Sequence, residues 1–238
     1  MSQIVWIASF DIGKKNFSFY IEEINLDLID NISDIPPYKE RYNDDGTLKD
    51  NFIPVLNEIC TNGKKILLEN KDITQNCDPK AYLDPLTFHN MNELLDEYTE
   101  YWDRCDIFII EKQMSFGKSH NTMALKLGQH CWSYFSIQYG QTKSIVEFPA
   151  YYKTQVLGSE KDKKVTKAGK VSYKAVDKPK RKKWCITKGL EILEKRNDND
   201  TVKLINKSKK KDDLCDVICQ LQAFKVIRFL DNINIELN

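Results

Sequence analysis

Asp11 closes the apolar run Ile4-Val5-Trp6-Ile7-Ala8-Ser9-Phe10 and is followed by Ile12-Gly13. Glu111 closes a second run, Ile107-Phe108-Ile109-Ile110. A carboxylate beside a buried hydrophobic stretch is costly unless it is hydrogen-bonded, ion-paired or bound to metal. Asp213 and Asp216 stand three residues apart in Lys211-Asp212-Asp213-Leu214-Cys215-Asp216, so on a helix they share one side. Hard ions such as Mg²⁺ take oxygen ligands and bind few carboxylates together with substrate phosphate. Four acids from three separated segments suffice for two ions, one activating water and the other stabilising the leaving oxygen. The acids of the third segment also have a plainer account. In a first helical turn they meet the positive end of the helix dipole, and Asp212 is placed to be the N-cap. At the level of residue types and spacing both accounts stand, and the chemistry they admit is that of a metal-dependent nuclease.

The elements that must position these acids follow from the hydrophobic pattern. Residues 4–10 read as a buried strand, and Phe17, Phe19, Ile21 and Ile24 as a second, antiparallel one across the link Gly13-Lys14-Lys15-Asn16. Residues 27–80 are acidic, rich in Asn and broken by Pro36-Pro37, Asp45-Gly46 and Asn62-Gly63; they read as an insertion, with one short strand at Ile66-Leu67-Leu68. Met91 to Trp102 has helical spacing, and Asp106 to Glu111 reads as a strand. Thr122 to Tyr139 reads as a helix, Ser144 to Pro149 as a strand, Lys183 to Arg196 and Asp212 to Leu230 as helices. Residues 159–178, with Gly158 just before them and Gly169 within, read as a mobile basic loop. This is an α/β order, expected to form one domain over 1–238 with chemistry at the strand ends.

Composition bounds the alternatives. A chain of 238 residues that is 41% hydrophobic can bury a real core and is not wholly disordered. No apolar run approaches the ~18 residues of a membrane span, and the N-terminus lacks the pattern of a signal peptide. Seven cysteines without a Cys-x-x-Cys pair read as reduced thiols. The net charge of +1 conceals a polarity: residues 1–110 carry 21 acids and 10 bases, residues 111–238 carry 14 acids and 26 bases. Between Lys153 and Lys183 there are 12 bases and only three acids. Such a surface fits a polyanion, with salt-sensitive and largely sequence-independent binding to nucleic acid.

Taken in order, Phe10-Asp11-Ile12-Gly13-Lys14-Lys15-Asn16, Ile109-Ile110-Glu111-Lys112-Gln113, Lys182-Lys183 at a helix start and Lys211-Asp212-Asp213-Leu214-Cys215-Asp216 resemble the motifs of the poxvirus-type Holliday junction resolvases, and through them the RuvC-like enzymes. The resemblance spans the chain except residues 27–80 and much of 159–178. It implies an RNase H-like fold with a central mixed five-stranded sheet, a homodimer, and Mg²⁺-dependent cutting of four-way DNA junctions; the insertion after the second strand is a departure with no counterpart in the family. Two ions per site are implied, with Mn²⁺ able to substitute. Asp11, Glu111, Asp213 and Asp216 match the metal-binding acids, and Lys153 and Lys183 more loosely match catalytic lysines. DNA contacts are expected from Lys14, Lys15, Lys112, Lys153, Lys180, Arg181, Lys182, Lys183, Lys209 and Lys210. Work in host cytoplasm during viral replication or recombination follows by analogy, with no membrane partner.

Some residues keep two readings. Lys153 and Lys183 serve either the scissile phosphate or plain backbone docking. Phe116, Tyr151 and Tyr152 either stack on splayed bases or pack in the core. His89, His120 and His130 lack metal-ligand spacing with cysteines. The helix 122–139 is the expected twofold contact. Rival functions are another RNase H-like nuclease, on branched DNA or RNA–DNA hybrid, and a non-catalytic junction binder.

Overall fold

The computed structural model describes residues 3–113, 121–165 and 169–233. These fall into two compact units, one built from the stretches 1–25 and 63–150 and the other from 26–62 and 151–233. The chain leaves the first unit after its second strand, returns, and leaves again after its fifth.

The first unit is built on a mixed five-stranded sheet. Its strands are β1 (Ile4–Asp11), β2 (Phe17–Asn25), β3 (Lys64–Lys71), β4 (Ile107–Lys112) and β5 (Ser144–Pro149), in the order β3-β2-β1-β4-β5. β1 pairs antiparallel with β2 and parallel with β4; β2–β3 is antiparallel and β4–β5 parallel. β1 lies at the centre, and its residues Trp6 to Phe10 are buried without a break, which is why it reads as a continuous apolar run. Parallel neighbours need a crossover, and β4 and β5 are joined through α5 (Thr122–Tyr139). α3 (Leu86–Glu97) and the short α4 (Thr99–Trp102) precede β4. Met91, Leu95, Trp102, Phe108, Leu127 and Phe135 join Phe10 and Phe19 in one core, with Phe108 and Phe135 stacked at 4.2 Å.

β3 lies within the stretch read as an insertion, where one short strand was expected. Residues 64–71 pair with β2, Tyr20 opposite Leu68 and Ile21 opposite Leu67, so the segment that departs from the sheet unit is 26–62 rather than 27–80. The pattern hid this because Ile66 and Leu67 are only partly buried, as suits an edge strand with lysine at both ends.

The second unit is mostly helical: α1 (Leu26–Asp30), α2 (Ile53–Thr61), α6 (Tyr151–Val156), α7 (Lys178–Lys195), α8 (Asn199–Lys207) and α9 (Lys211–Lys225), which continues as a π-turn through Leu230. α9 is its hub, packing on α2, α6, α7 and α8. Arg196 and Lys225 cap the end of α2 through the carbonyls of Cys60 and Asn62, and both bond Gln222 Oε1. A two-stranded antiparallel ribbon, β6 (Lys161–Val165) and β7 (Val171–Ala175), occupies much of the stretch read as a loop. α7 starts at Lys178, five residues earlier than its apolar spacing suggests. Asp177 accepts the Lys180 N–H as N-cap and Pro179 sits in the first turn, where its missing donor is harmless.

Candidate active site

The strand ends supply two of the four acids. β1 and β4 run parallel with Phe10 opposite Ile110, so Asp11 and Glu111 take the next position on neighbouring strands at their C-terminal ends. Both are partly exposed. In open α/β sheets this edge is where ligands meet the protein. Lys14, in the turn after β1, is drawn to the carbonyls of Tyr82 at 2.9 Å and Ala81 at 3.4 Å, while Lys15 and Lys112 are exposed.

α9 supplies the other two, and around them the second unit sets a row of donors. Asp212 lies inside the first turn, not at the N-cap, which is Lys210 with no side-chain cap. Lys182 of α7 is ion-paired with Asp212. Burial works to raise the Asp212 carboxyl, but the Lys182 hydrogen bond and charge outweigh it and hold the group below its ordinary range. Asp213 goes the other way: burial first, then the neighbouring Asp212 charge, push it up. Its Oδ2 is buried and has no hydrogen-bond partner among the described residues. Asp216 Oδ1 accepts from the Cys185 thiol at 2.9 Å and faces Lys153 Nζ at 3.5 Å. Lys153, on α6, is buried to 8% side-chain exposure, which is rare for a lysine without such a partner. A hydrogen bond with Cys219 and then burial keep the Cys185 thiol well above its usual pKa, so it is protonated and a donor.

Lys153 and Lys182 therefore stand beside these acids. Lys183, the residue expected from the sequence, is exposed on α7 and Lys182 holds Asp212 instead. Lys180 pairs with Asp162 at 3.2 Å, and Lys209 and Lys210 are exposed. Cys185 was not singled out in the sequence. Lys182 and Cys185 are three apart on α7, as Asp213 and Asp216 are on α9, but that spacing does not say that the two helices meet. Phe116 and His120 lie outside the described residues. Tyr151 is exposed and its ring lies tilted against that of Tyr152, ring centres 4.5 Å apart. His130 bonds Asn92 and His89 pairs with Glu93, so both have structural partners.

Asp11 and Glu111 belong to the first unit, Asp213 and Asp216 to the second. Among the described residues, neither unit by itself gathers three His, Cys, Asp or Glu side chains as an ion site. Mg²⁺ takes oxygen donors, and the carboxylates of each unit are of that kind; in the second unit the Asp213 Oδ2 is a buried acceptor lacking a donor among the described residues.

No family model matches the sequence. The chain is 39% identical over 241 residues to the uncharacterized protein 170L of invertebrate iridescent virus 6, covering 93% of this chain and 89% of that one. The chain belongs to the 170L family. A second relative of the 170L-like chain is the uncharacterized protein 97L of invertebrate iridescent virus 3, 29% identical over 92% of this chain and 98% of its own. Among solved structures, the fowlpox virus resolvase crystallised with substrate Holliday junction DNA is similar over 97% of this chain and 100% of that one, with a TM-score of 0.51 and 16% identity. This member of the 170L family thus has the RNase H-like fold of that resolvase, with its mixed five-stranded sheet flanked by helices. Among the described residues no helix is long and apolar enough to cross a membrane.

Proposed function

We propose that this chain is a structure-selective endonuclease that resolves four-way DNA junctions by Mg²⁺-dependent phosphodiester hydrolysis, in the service of viral DNA replication and recombination. The observation that carries the reading is the register of β1 on β4, which sets Asp11 and Glu111 side by side at the end of a resolvase-type sheet. Asp11, Glu111, Asp213 and Asp216 are the acids assigned to two ions. When bound, the ions supply an activated water and a stabilised leaving oxygen, and Mn²⁺ is the expected substitute.

The chain's own residues do the rest. The Cys185 thiol and the Lys153 ammonium engage Oδ1 of Asp216, so its second oxygen is the one assigned to the ion. Lys182 neutralises Asp212, which limits the repulsion that Asp213 meets when it is charged. Lys183, Lys209 and Lys210 are exposed and are assigned to backbone phosphates, giving salt-sensitive affinity. Two symmetric cuts need two sites, so the working form is assigned as a homodimer.

The test is a substrate panel: four-way junction, flap, duplex and RNA–DNA hybrid, each with and without Mg²⁺. The expected result is ion-dependent cutting of the junction above the rest. Asp11→Asn, Glu111→Gln and Asp216→Asn are each expected to abolish cutting and to leave junction binding in place. Wild-type cutting rates in all three variants sink the assignment. Preference for the hybrid, or binding without cutting, selects a rival function.

A further inference from the structure

The ribbon of β6 and β7 has a two-faced pattern that the acids do not account for. Lys161 lies opposite Ala175, Lys163 opposite Tyr173 and Val165 opposite Val171. Directly opposed residues share a face. One face therefore carries three apolar or aromatic residues besides Ala175 (Val165, Val171, Tyr173), with Lys161 and Lys163 among them. The other carries Asp162, Lys164, Ser172 and Lys174.

A two-stranded ribbon is marginal on its own and needs anchors. It has them at one end. The Lys161 N–H donates to the Asp45 carbonyl at 2.7 Å, and Lys180 reaches Asp162 at 3.2 Å. Tyr173 and Ala175 join Tyr151, Thr154 and Arg181 around a cleft of about 250 Å³. Toward the other end Val165 is 62% exposed and Val171 45%.

The charge says what would cover it. Among the described residues Lys163, Lys164 and Lys174 have no carboxylate partner. Of the acids nearby, Asp162 is taken by Lys180 and Asp177 caps α7, while the exposed Glu160 sits at the anchored end, away from Val165 and Val171. Unpaired ammonium groups flanking an exposed valine pair match a duplex groove, which has phosphate walls and a floor of base edges with thymine methyls. A two-stranded ribbon fits the undistorted major groove, about 12 Å wide, whereas the minor groove at about 6 Å takes one only when the duplex is deformed.

We propose that β6–β7 is a DNA-binding arm that lies in the major groove of a duplex, with Lys161, Lys163, Lys164 and Lys174 on phosphates and Val165 and Val171 against base edges. The inference rests on the nuclease reading and adds to it a grip on a duplex arm.

The test uses the full chain carrying Asp11→Asn, binding a four-way junction and a linear duplex over a range of salt concentrations. Each phosphate neutralised contributes a slope of about −0.9 to log affinity against log salt. Changing the four lysines together to Ala is expected to make the slope shallower by more than one, and by about three to four if every lysine meets a phosphate. Changing them to Arg is expected to keep the parent slope, which guards against a folding defect. Guanine N7, open in the major groove, is expected to be protected from dimethyl sulfate by the parent and by the Arg variant but not by the Ala variant. A slope change below one, or N7 protection that does not depend on these lysines, overturns the proposal. If the wild-type chain cuts junctions while the Ala variant shows that unchanged slope, the ribbon assignment falls alone. If the wild-type chain neither binds nor cuts any DNA, the nuclease reading falls with it.

Discussion

Asp213 and Asp216 sit three residues apart on one helix and meet opposite surroundings. Asp213 has a buried oxygen with no donor and is raised by burial; Asp216 Oδ1 is held by a thiol and faces an ammonium. An ionised carboxyl left in that state destabilises the fold until something positive or donating reaches it. Asp213→Asn is therefore expected to raise the melting temperature in chelator. Mg²⁺ is expected to stabilise the wild-type chain further, by about 1.4 kcal/mol at ten times its dissociation constant. The same addition should leave the variant unmoved. Equal Mg²⁺ shifts in both proteins count against Asp213 as a ligand. Cys185 gives a second residue-scale outcome. Cys185→Ser keeps a donor for Asp216, whereas Cys185→Val fills similar space without one. The expected order of Mg²⁺ affinity, read by calorimetry, is wild type close to Ser and both tighter than Val. If Val binds as tightly as wild type, the thiol does no positioning. The four acids were conspicuous in the sequence because each breaks an apolar pattern or repeats at helical spacing; their role as ligands is the proposal. The thiol was not, since its role depends on α7 meeting α9, and spacing within one helix does not say which helix it faces.

At the scale of elements, the same helix pair is held at close range by Gly189. A Cβ there would lie 2.9 Å from Cys215 Cβ and 3.0 Å from its Sγ. The pairs Lys182–Asp212, Cys185–Asp216 and Arg196–Gln222 advance together along both helices, so one displacement reaches all of them. Gly189→Ala is expected to destabilise the chain by about 1–3 kcal/mol through overpacking, measured by denaturant unfolding, and to weaken Mg²⁺ binding although no ligand is changed. An unaltered unfolding midpoint would show that α7 yields freely. Elements with a strong period were readable to the residue: α5 at 122–139 and β5 at 144–149 coincide with the sequence expectation. α5 has an Asn121 cap and Gly140 just beyond its end, and β5 runs into Pro149. α8 and the ribbon escaped for the opposite reason. α8 is only nine residues long and buries only Thr201 and Ile205, too short a stretch to repeat an apolar face, and its start is marked by Asp198 capping Thr201. In the ribbon, lysine stands where a strand would show its apolar half.

For the whole molecule, pattern reading supplied the strands and helices but not their division into two units, because periodicity says which face is buried and not what buries it. The same limit applies to association. Resolution of a four-way junction needs two cuts, and the resemblance implies a twofold dimer with α5 as its expected contact. Ile137, on α5, is 82% exposed, and with Asn92, His130, Ser133 and Tyr134 it borders a cleft of about 340 Å³. A stable interface takes about 800 Å² from each partner, far more than one isoleucine, so the face around it must take part and a charge at its apolar point should be poorly tolerated. Ile137→Glu is expected to give a monomer by light scattering, with an unchanged melt because the side chain contributes little to the monomer's core. The functional readout is a supercoiled plasmid bearing a cruciform. A dimer makes both cuts before release and yields linear product, while a monomer makes one and yields nicked circles. Wild type should therefore give linear DNA and Ile137→Glu mainly nicked DNA under the same ionic conditions. Light scattering showing the wild-type chain monomeric both free and on junction DNA would remove the dimer. A dimeric Ile137→Glu would keep the dimer but move its contact off this part of α5.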